Sequence, residues 1–192
     1  MSELFIFPKD EIPRGSRIIL YGMGNVGKLV AQMLYGFGAN VIYFSRTRLS
    51  YEMELELHIS YKDFEELIKL SDIITLHCPY DRCLGTMITE NTFEMMRDGV
   101  ILINTARGKL IDEKALISAV KNNKLSGCGI DTFDEEPLPD DSELRSLKQV
   151  ILSPHIAGLT IESYERMFEK AIDNIWKFEI GDKESIAAFL YK

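Results

Sequence analysis

Short apolar runs alternate along this chain with stretches in which apolar residues recur every three or four positions. The runs have the length and composition of buried strands, and the stretches between them have helical spacing. The predicted strands are residues 18–21, 41–44, 72–79, 100–103, 126–130 and 150–152. A long helix is predicted over residues 161–180, ended by Gly181. Its apolar stripe consists of Tyr164, Met167, Phe168, Ala171, Ile172 and Ile175.

Polar residues mark the starts of the shorter predicted helices. Residues 60–63 have the pattern of a capping box ahead of a short helix. Thr89 is predicted to cap a helix that runs through Met96, and Asp112 to cap the next one. Residues 45–60 are predicted to be a loop or a weak strand.

The first strand runs directly into a glycine-rich turn, in which Gly22, Gly24 and Gly27 have the spacing G-x-G-x-x-G. In such a turn the first glycine allows the bend, the second lets a pyrophosphate approach the backbone, and the third lets the next helix pack closely. Strand, turn, helix and second strand follow in that order, which indicates a dinucleotide site rather than a plain structural turn. The candidate phosphate contacts are Gly22, Gly24, Asn25, Val26 and Gly27.

The helix after this turn is predicted to be amphipathic, with Gly36 as the C′ residue that ends it. Its apolar positions recur at helical spacing and are expected to form one stripe toward the core. That stripe consists of Val26, Leu29, Val30, Met33 and Leu34.

The alternation of elements from Arg17 onward predicts an α/β fold. We expect a doubly wound parallel sheet with helices on both faces, the Rossmann dinucleotide-binding fold. Residues 17–192 are predicted to form a single domain after a lead-in of residues 1–16, whose apolar patch at residues 4–7 suits an edge strand. Ligands of such sheets bind at the carboxyl ends of the strands, so the candidate residues follow each strand directly.

Composition narrows the function classes. The 192 residues carry a net charge of −8 with a pI of about 5.0, which favours neither a nucleic-acid nor an anionic membrane partner. No apolar run approaches the roughly 20 residues that span a bilayer, and the N-terminus lacks the pattern of a signal peptide.

The three cysteines, Cys78, Cys83 and Cys128, have neither a disulfide nor a zinc spacing. We interpret them as reduced thiols of a cytoplasmic protein, with Cys83 as a candidate reactive thiol. The three histidines lie in separate loops without ligand spacing, so no metal is predicted.

The residues after the second strand bear on which dinucleotide binds. An NAD-selective site would place an Asp or Glu there to bind the ribose hydroxyls. Ser45, Arg46, Thr47 and Arg48 stand there instead, and arginine binds phosphate with two parallel hydrogen bonds. We therefore favour NADP(H) and keep NAD(H) as the alternative. An exposed basic loop whose arginines miss the cofactor would have the same sequence.

Two further strand ends carry candidate residues. The backbone of His77, Cys78 and Pro79 is expected to line the adenosine side of the groove, with the His77 side chain in a structural role. Arg107 follows a fully apolar strand and is expected to emerge at the cleft, where a guanidinium suits a substrate carboxylate. A salt bridge to a neighbouring acid is the alternative for Arg107.

Glu136 and His155 follow the last two strands. Because adjacent strand ends of one sheet lie side by side, these two side chains can meet. A carboxylate beside a histidine stabilises the imidazolium and fixes its tautomer, which suits an acid/base for reducing a carbonyl. The alternative for residues 134–136 is a solvated acidic turn before Pro137.

Together these motifs resemble the D-isomer-specific 2-hydroxyacid dehydrogenases, nearest to the glyoxylate/hydroxypyruvate reductase branch. The resemblance covers about residues 17–181, and the segments 22–27, 103–108, 129–137 and 153–158 match in order and spacing.

The resemblance implies a role for each matching residue. Arg107 would bind the substrate carboxylate, His155 would give or take the proton, and Glu136 would pair with His155. Asp131 would bind the nicotinamide carboxamide. The other implied cofactor contacts are Ser45, Arg46, Thr47, Thr105, Ala106, His155 and Gly158.

The resemblance also implies partners. Family members carry a second lobe before this domain that closes over the substrate, whereas sixteen residues precede the first strand here. We therefore expect an open, wet cleft. Dimers form through this domain in the family, so a homodimer is expected, with Trp176 and Phe178 as candidate exposed contacts.

The leading hypothesis is NAD(P)H-dependent reduction of a small 2-oxo acid, of the glyoxylate or hydroxypyruvate type, to the 2-hydroxy acid. The first alternative is a non-catalytic NAD(P)-binding module or sensor. The second alternative is a subunit whose substrate lobe comes from a separate polypeptide.

Overall fold

The computed structural model describes residues 16–182. Two compact units make up the chain, Met1–His155 and Ile156–Lys192. The edge strand expected in residues 4–7 lies outside the described residues.

A seven-stranded parallel sheet forms the centre of the first unit. Its strands are β1 (Arg17–Tyr21), β2 (Asn40–Phe44), β3 (Ile59–Tyr61), β4 (Ile73–Leu76), β5 (Val100–Asn104), β6 (Leu125–Ile130) and β7 (Val150–Leu152). They lie in the order β3-β2-β1-β4-β5-β6-β7. The order reverses at β1, which pairs with β2 on one side and β4 on the other. The expected doubly wound parallel sheet is confirmed.

Five helices connect these strands. They are α1 (Asn25–Gly36), α2 (Tyr51–Glu56), α3 (Phe64–Leu70), α4 (Glu90–Met95) and α5 (Glu113–Lys121). Thr89 is the N-cap residue of α4, as predicted. Asp112 caps α5 by accepting hydrogen bonds from the N–H groups of Lys114 and Ala115, also as predicted. Two short 3₁₀ helices, Gly108–Leu110 and Glu143–Ser146, lie in the loops.

The two faces of the sheet carry two separate cores. In β1, Leu20 packs in the core on the α1 face, while Ile19 belongs to the larger core with α3, α4 and α5. In β2, Tyr43 likewise packs in the core on the α1 face, and Ile42 in the larger core. Strands buried on both faces read as continuous apolar runs, which is why the sequence marked them clearly.

The predicted apolar stripe of α1 is wrong in part. The residues that α1 buries are Gly27 and Ala31, with Val30 and Leu34 packed beside them. Val26, Leu29 and Met33 are more than half exposed. Small residues face the sheet because α1 packs against it very closely, which leaves the larger apolar residues on the outer face.

The end of α1 also differs from the prediction. The residue in the left-handed conformation is Gly38, with φ of 75°, and not Gly36. The N–H of Gly38 donates to the carbonyl of Tyr35, and that of Ala39 to Leu34. This is the Schellman pattern of hydrogen bonds, which places the C′ glycine two residues beyond the helix.

Residues 45–60 contain a helix that the sequence did not reveal. Ser50 caps α2 by accepting a hydrogen bond from Met53 N–H, and Glu54 of this helix is buried. A buried acid inside a helix of six residues removes the apolar periodicity by which such a helix is predicted. The expected capping box at residues 60–63 is wrong, because Ser60 lies in β3 and Asp63 is the N-cap of α3.

The second unit contains one long helix, α6 (Ile161–Glu179). Thr160 and Ser163 form a capping box at its start, and Gly181, with φ of 80°, follows its end as predicted. The apolar residues of its stripe are exposed, and so are Trp176 and Phe178.

Two further findings concern the described residues 16–182. No helix there is long and apolar enough to cross a membrane. The three cysteines are free thiols, with Cys128 buried, Cys78 half-buried and Cys83 exposed.

Candidate active site

The glycine turn lies where the carboxyl ends of three strands meet. Gly22 has φ of 102°, which favours glycine. A Cβ atom on Gly22 would lie 2.8 Å from the backbone of His77 and Cys78, after β4. The N–H of Gly22 donates to the carbonyl of Phe44, the last residue of β2. Gly22 therefore closes a backbone junction between the ends of β1, β2 and β4.

Gly24 and Gly27 leave an open anion cradle at the start of α1. A Cβ on Gly27 would lie 2.2 Å from the carbonyl oxygen of Gly22, so only glycine lets α1 approach the turn this closely. A Cβ on Gly24 would meet no atom within 4 Å. No side chain caps the helix, and Asn25 and Val26 in its first turn are exposed. Uncapped N–H groups and the helix dipole suit a pyrophosphate, so the cradle fits a dinucleotide.

The loop after β2 divides its two arginines between two acids. Arg46 contacts Asp81 from the loop after β4, with 2.7 Å between Nη1 and Oδ2. Arg48 donates to both carboxylate oxygens of Glu54, at 2.8 and 2.9 Å. Ser45 is half-buried beside the glycine turn, and Thr47 is exposed. Of the two guanidinium groups expected at a 2′-phosphate, Arg48 is therefore bound within the fold.

Glu54 explains why Arg48 is held. Its carboxylate is buried and also accepts a hydrogen bond of 2.8 Å from the Tyr43 hydroxyl. A buried carboxylate needs such partners. The hydrogen bond from Arg48 lowers the pKa of Glu54, and burial together with Glu54 raises the pKa of Tyr43 to about 12. This cluster fixes the path of the chain after β2.

The end of β4 contributes backbone rather than reactive side chains. The N–H of His77 donates to Tyr21 at 2.7 Å, and its Nε2 lies 3.1 Å from the Thr75 hydroxyl. Burial lowers the pKa of His77 and raises that of the Cys78 thiol to about 11, so both are neutral near pH 7. Pro79 is exposed at the groove edge.

A buried asparagine shapes the loop after β5. Asn104 is 1% exposed. Its Oδ1 accepts a hydrogen bond from Ala106 N–H at 3.0 Å, and its Nδ2 donates to the carbonyl of Arg107 at 2.9 Å. Thr105 and Arg107 are exposed as a result. Asn104 thus holds the loop that presents Arg107.

Gly108 locks this loop against the next one. A Cβ on Gly108 would lie 2.0 Å from the backbone carbon of Phe133. The N–H of Phe133 donates to Glu136 Oε1 at 3.0 Å. The loops that carry Arg107 and Glu136 are therefore in direct backbone contact.

Replacing Gly108 with alanine is expected to destabilise the fold by about 1–3 kcal/mol, because the new methyl group overlaps backbone that cannot yield cheaply. Urea unfolding measures the change. Gly36→Ala is the matched control, since a Cβ there meets no atom within 4 Å, and we expect it to be neutral or slightly stabilising. Equal stability of both variants would contradict the close approach of the two loops.

Glu136 and His155 form the expected pair. Glu136 Oε2 lies 2.8 Å from His155 Nδ1, and both side chains are partly exposed. The hydrogen bond to His155, followed by that from Phe133 N–H, lowers the pKa of Glu136, and Arg107 adds to the effect. The structure therefore brings Glu136 and His155 together, with Arg107 on the neighbouring loop. Because Nδ1 of His155 contacts the carboxylate, Nε2 is the ring nitrogen that Glu136 does not engage.

His155 is held in an unusual backbone conformation. Its φ is 56°, in the left-handed region that non-glycine residues rarely adopt. Such outliers persist where the surrounding structure enforces them, and they concentrate at functional sites. A cleft of about 520 Å³ beside the pair is lined in part by Phe133, Leu138 and Leu152.

The remaining candidate residues divide between the units. Asp131 is buried at the end of β6, where the Ser153 hydroxyl donates to its carboxylate. Gly158 belongs to the second unit, where its carbonyl accepts a hydrogen bond of 2.8 Å from Ser163. Within residues 16–182, no group of three His, Cys, Asp or Glu side chains is placed to hold a metal ion.

Sequence reasoning missed four residues that shape the site: Asn104, Gly108, Glu54 and Asp81. Asn104 and Gly108 flank the predicted Thr105–Arg107 segment, and a polar residue closing an apolar strand was a usable signal. Glu54 acts through its contacts with Arg48 and Tyr43, and Asp81 through its contact with Arg46 in another loop. The sequence carries no signal for either set of contacts.

Fold and site define a class. The glycine cradle lies at the switch point of a doubly wound sheet. A histidine–carboxylate pair and an arginine follow other strands at the same carboxyl end of the sheet. This is the arrangement of a dinucleotide-binding domain of an oxidoreductase. The chain belongs to the D-isomer specific 2-hydroxyacid dehydrogenases. The model of that family's NAD binding domain matches residues 8–157, so the cofactor class is a nicotinamide dinucleotide.

Individual relatives agree with this assignment. The chain is 41% identical over 169 residues to the glyoxylate reductase of Thermococcus litoralis, covering 88% of this chain and 50% of the relative. It is 42% identical over 168 residues to that of Thermococcus gammatolerans, with the same coverage. The chain thus spans about half the length of the curated relatives it matches.

Solved structures give the same family. The D-lactate dehydrogenase of Aquifex aeolicus, determined with NAD and lactic acid, superposes with a TM-score of 0.81 at 34% identity, covering 90% of this chain and 56% of that one. A glyoxylate reductase from Paecilomyes thermophila superposes with a TM-score of 0.79 at 34% identity, covering 86% of this chain and 49% of that one.

Proposed function

We propose that this chain catalyses the NAD(P)H-dependent reduction of a small 2-oxo acid, of the glyoxylate or hydroxypyruvate type, to the 2-hydroxy acid. The observation that carries the proposal is the 2.8 Å contact between Glu136 and His155, beside Arg107 and on the sheet edge that holds the glycine cradle. Relatives named glyoxylate reductase support this substrate class.

Arg107 is the proposed substrate-binding residue. Its side chain is exposed on a loop whose backbone is hydrogen-bonded to the buried Asn104 side chain. A guanidinium binds a carboxylate with two parallel hydrogen bonds, which fixes the orientation of the adjoining 2-oxo group. Arg107 would thereby direct the carbonyl carbon toward the cofactor and the carbonyl oxygen toward His155.

His155 is the proposed proton donor in the reductive direction. The bound nicotinamide supplies the hydride. His155 gives a proton to the developing alkoxide from Nε2, while Glu136 on Nδ1 stabilises the imidazolium and holds the ring. In the reverse direction the same nitrogen accepts the proton.

We propose NADP(H) as the favoured cofactor and NAD(H) as the alternative. The chain after β2 carries Ser45, Arg46 and Thr47 and no acid, which supports a 2′-phosphate. Arg46 is the proposed phosphate contact, because its pair with Asp81 is exposed, whereas Arg48 donates two hydrogen bonds to the buried Glu54. The backbone of residues 77–79 would line the adenosine side, and Thr105, Ala106 and Asp131 the nicotinamide side.

The experiment that tests this proposal is the oxidation of NADPH and NADH by the purified chain, with glyoxylate and hydroxypyruvate as substrates. Turnover dependent on the 2-oxo acid is the expected result. A protein that binds the reduced cofactor and never turns over with either acid would contradict the proposed activity.

We further propose that the protein is a homodimer. The expected contacts Trp176 and Phe178 are exposed on α6, which supports this proposal. The outer face of α1 adds a stripe of Val26, Leu29 and Met33, at spacings of three and four residues, each more than half exposed. A second copy would remove this apolar stripe from water. The three free thiols support a reducing compartment such as the cytoplasm.

The substitution Leu29→Glu is expected to weaken dimer formation about tenfold or more, because it would place a charge inside an apolar interface. Sedimentation equilibrium measures the association. Gln32→Glu is the matched control, since it adds the same charge to an exposed position of α1 outside the stripe. A Leu29→Glu dimer as stable as the wild type would rule out this face.

A second candidate function is cofactor binding without turnover, as an NAD(P)-dependent sensor or as a subunit whose substrate lobe is supplied separately. The observation that favours it is the coverage of only 50% of the curated relatives. Water exclusion and positioning by a closing lobe lower reaction barriers substantially. Restoration of turnover by a co-purifying polypeptide would support the separate-lobe form.

A further inference from the structure

One ion pair spans the rim of the dinucleotide groove. Arg46 follows β2 and Asp81 follows β4, and these two strands flank β1 in the sheet. The 2.7 Å contact between Arg46 Nη1 and Asp81 Oδ2 therefore crosses the carboxyl end of β1, where the glycine turn begins. In the proposed binding mode the pair would lie on the adenosine side of the dinucleotide.

The acid of this pair is anchored, and the base is not. Asp81 Oδ1 accepts a hydrogen bond of 2.9 Å from Cys83 N–H, and the Asp81 carbonyl accepts from Leu84 and Gly85. Arg46 reaches it from an exposed loop, with 62% of its side chain accessible. A ligand that draws Arg46 away must therefore compete with a carboxylate whose position is fixed.

The two candidate cofactors differ at this point. A 2′-phosphate would need the Arg46 guanidinium and would also face the negative charge of Asp81. A 2′-hydroxyl is uncharged, so it does not need the Arg46 guanidinium and is not repelled by Asp81. It therefore leaves the ion pair intact. The anchored carboxylate thus opposes the phosphorylated dinucleotide specifically.

We propose that Asp81 is a specificity-determining residue, which competes with the 2′-phosphate of NADP(H) for Arg46 and so limits the preference for NADP(H) over NAD(H). This inference rests on the proposed function, in which the glycine cradle binds a nicotinamide dinucleotide.

Equilibrium binding of NADPH and NADH to the full chain, measured by calorimetry, tests this inference without any turnover. In Asp81→Asn the affinity for NADPH is expected to rise about fivefold, the upper range for an exposed ion pair, while that for NADH changes less than about twofold. The gain is expected to shrink at high salt. Asp98→Asn is the matched control, because it removes one charge from the exposed Lys124 pair, away from the carboxyl edge of the sheet.

A second pair of variants separates competition from a general charge effect. If Asp81 acts through Arg46, then adding Asp81→Asn to Arg46→Ala yields a gain for NADPH well below fivefold. Equal gains for NADPH and NADH, or no gain for NADPH, would overturn the role of Asp81 while leaving the proposed function intact. A wild-type chain that binds neither dinucleotide would overturn both.

Discussion

The His155→Gln variant is expected to lose about 10²- to 10⁴-fold in kcat, the usual contribution of a positioned acid/base. Glutamine keeps a polar side chain of similar reach toward Glu136 but carries no proton that it can transfer. The affinity for NADPH should change little, because the glycine cradle and the loop after β2 are built without His155. Steady-state kinetics and NADPH titration measure the two quantities separately.

His58→Gln is a matched control for that variant. His58 is also an exposed histidine in the left-handed region, with φ of 54° against 56° for His155, and it stacks on Tyr35 between α2 and β3. Its replacement should leave kcat unchanged. A His155→Gln enzyme with wild-type kcat would show that the proton comes from elsewhere.

The Arg107→Ala variant is expected to lose about 10- to 150-fold in kcat/KM for glyoxylate, corresponding to about 1.5–3 kcal/mol for a charged hydrogen-bonding contact. The loss should appear mainly in KM, because Arg107 holds the carboxylate rather than transferring a proton. The kcat/KM of Arg107→Lys should lie between those of the wild type and Arg107→Ala, since lysine keeps the charge but lacks the planar pair of donors.

Arg97→Ala provides the control for this second variant. Arg97 pairs with Asp72, which precedes β4 at the amino end of the sheet. The Arg97→Ala variant therefore removes the same type of side chain far from the carboxyl end, where Arg107 lies. Unchanged kcat/KM is expected for Arg97→Ala. An equal loss in both variants would assign the effect to net charge rather than to substrate binding.

The sequence predicted the inner strands well because parallel strands buried on both faces carry uninterrupted apolar runs. β1 and β5 are examples, found within one residue of their observed ends. The short edge strand β3, at the end of the segment expected to be a loop or a weak strand, was not predicted as a separate strand. The helices were harder to predict. Small residues, Gly27 and Ala31, form the buried face of α1, so the pattern of larger apolar residues pointed to the wrong face. Helix α2 was not predicted because its buried residue, Glu54, is an acid. The burial of Glu54 depends on Arg48 and Tyr43, which the helical pattern does not show.

The candidate site divides in the same way. That Glu136 and His155 meet followed from topology, because β6 and β7 are adjacent strands of one sheet. The pairing of Arg46 with Asp81 did not follow, since the two residues are 35 positions apart in loops whose paths no periodicity reports. The sequence thus predicted contacts between side chains that follow adjacent strands. Contacts between loops could be identified only from the structure.

Transfer of deuterium from nicotinamide to product tests the central claim most directly. The chain would be mixed with glyoxylate and NADPH deuterated at the pro-R or the pro-S position of C4, and the glycolate analysed by mass spectrometry. We expect deuterium at C2 of glycolate from one of the two labels, at a rate that falls at least a hundredfold in His155→Gln. Bound NADPH with no deuterium in glycolate from either label would contradict the claim that this chain holds a working reductase site.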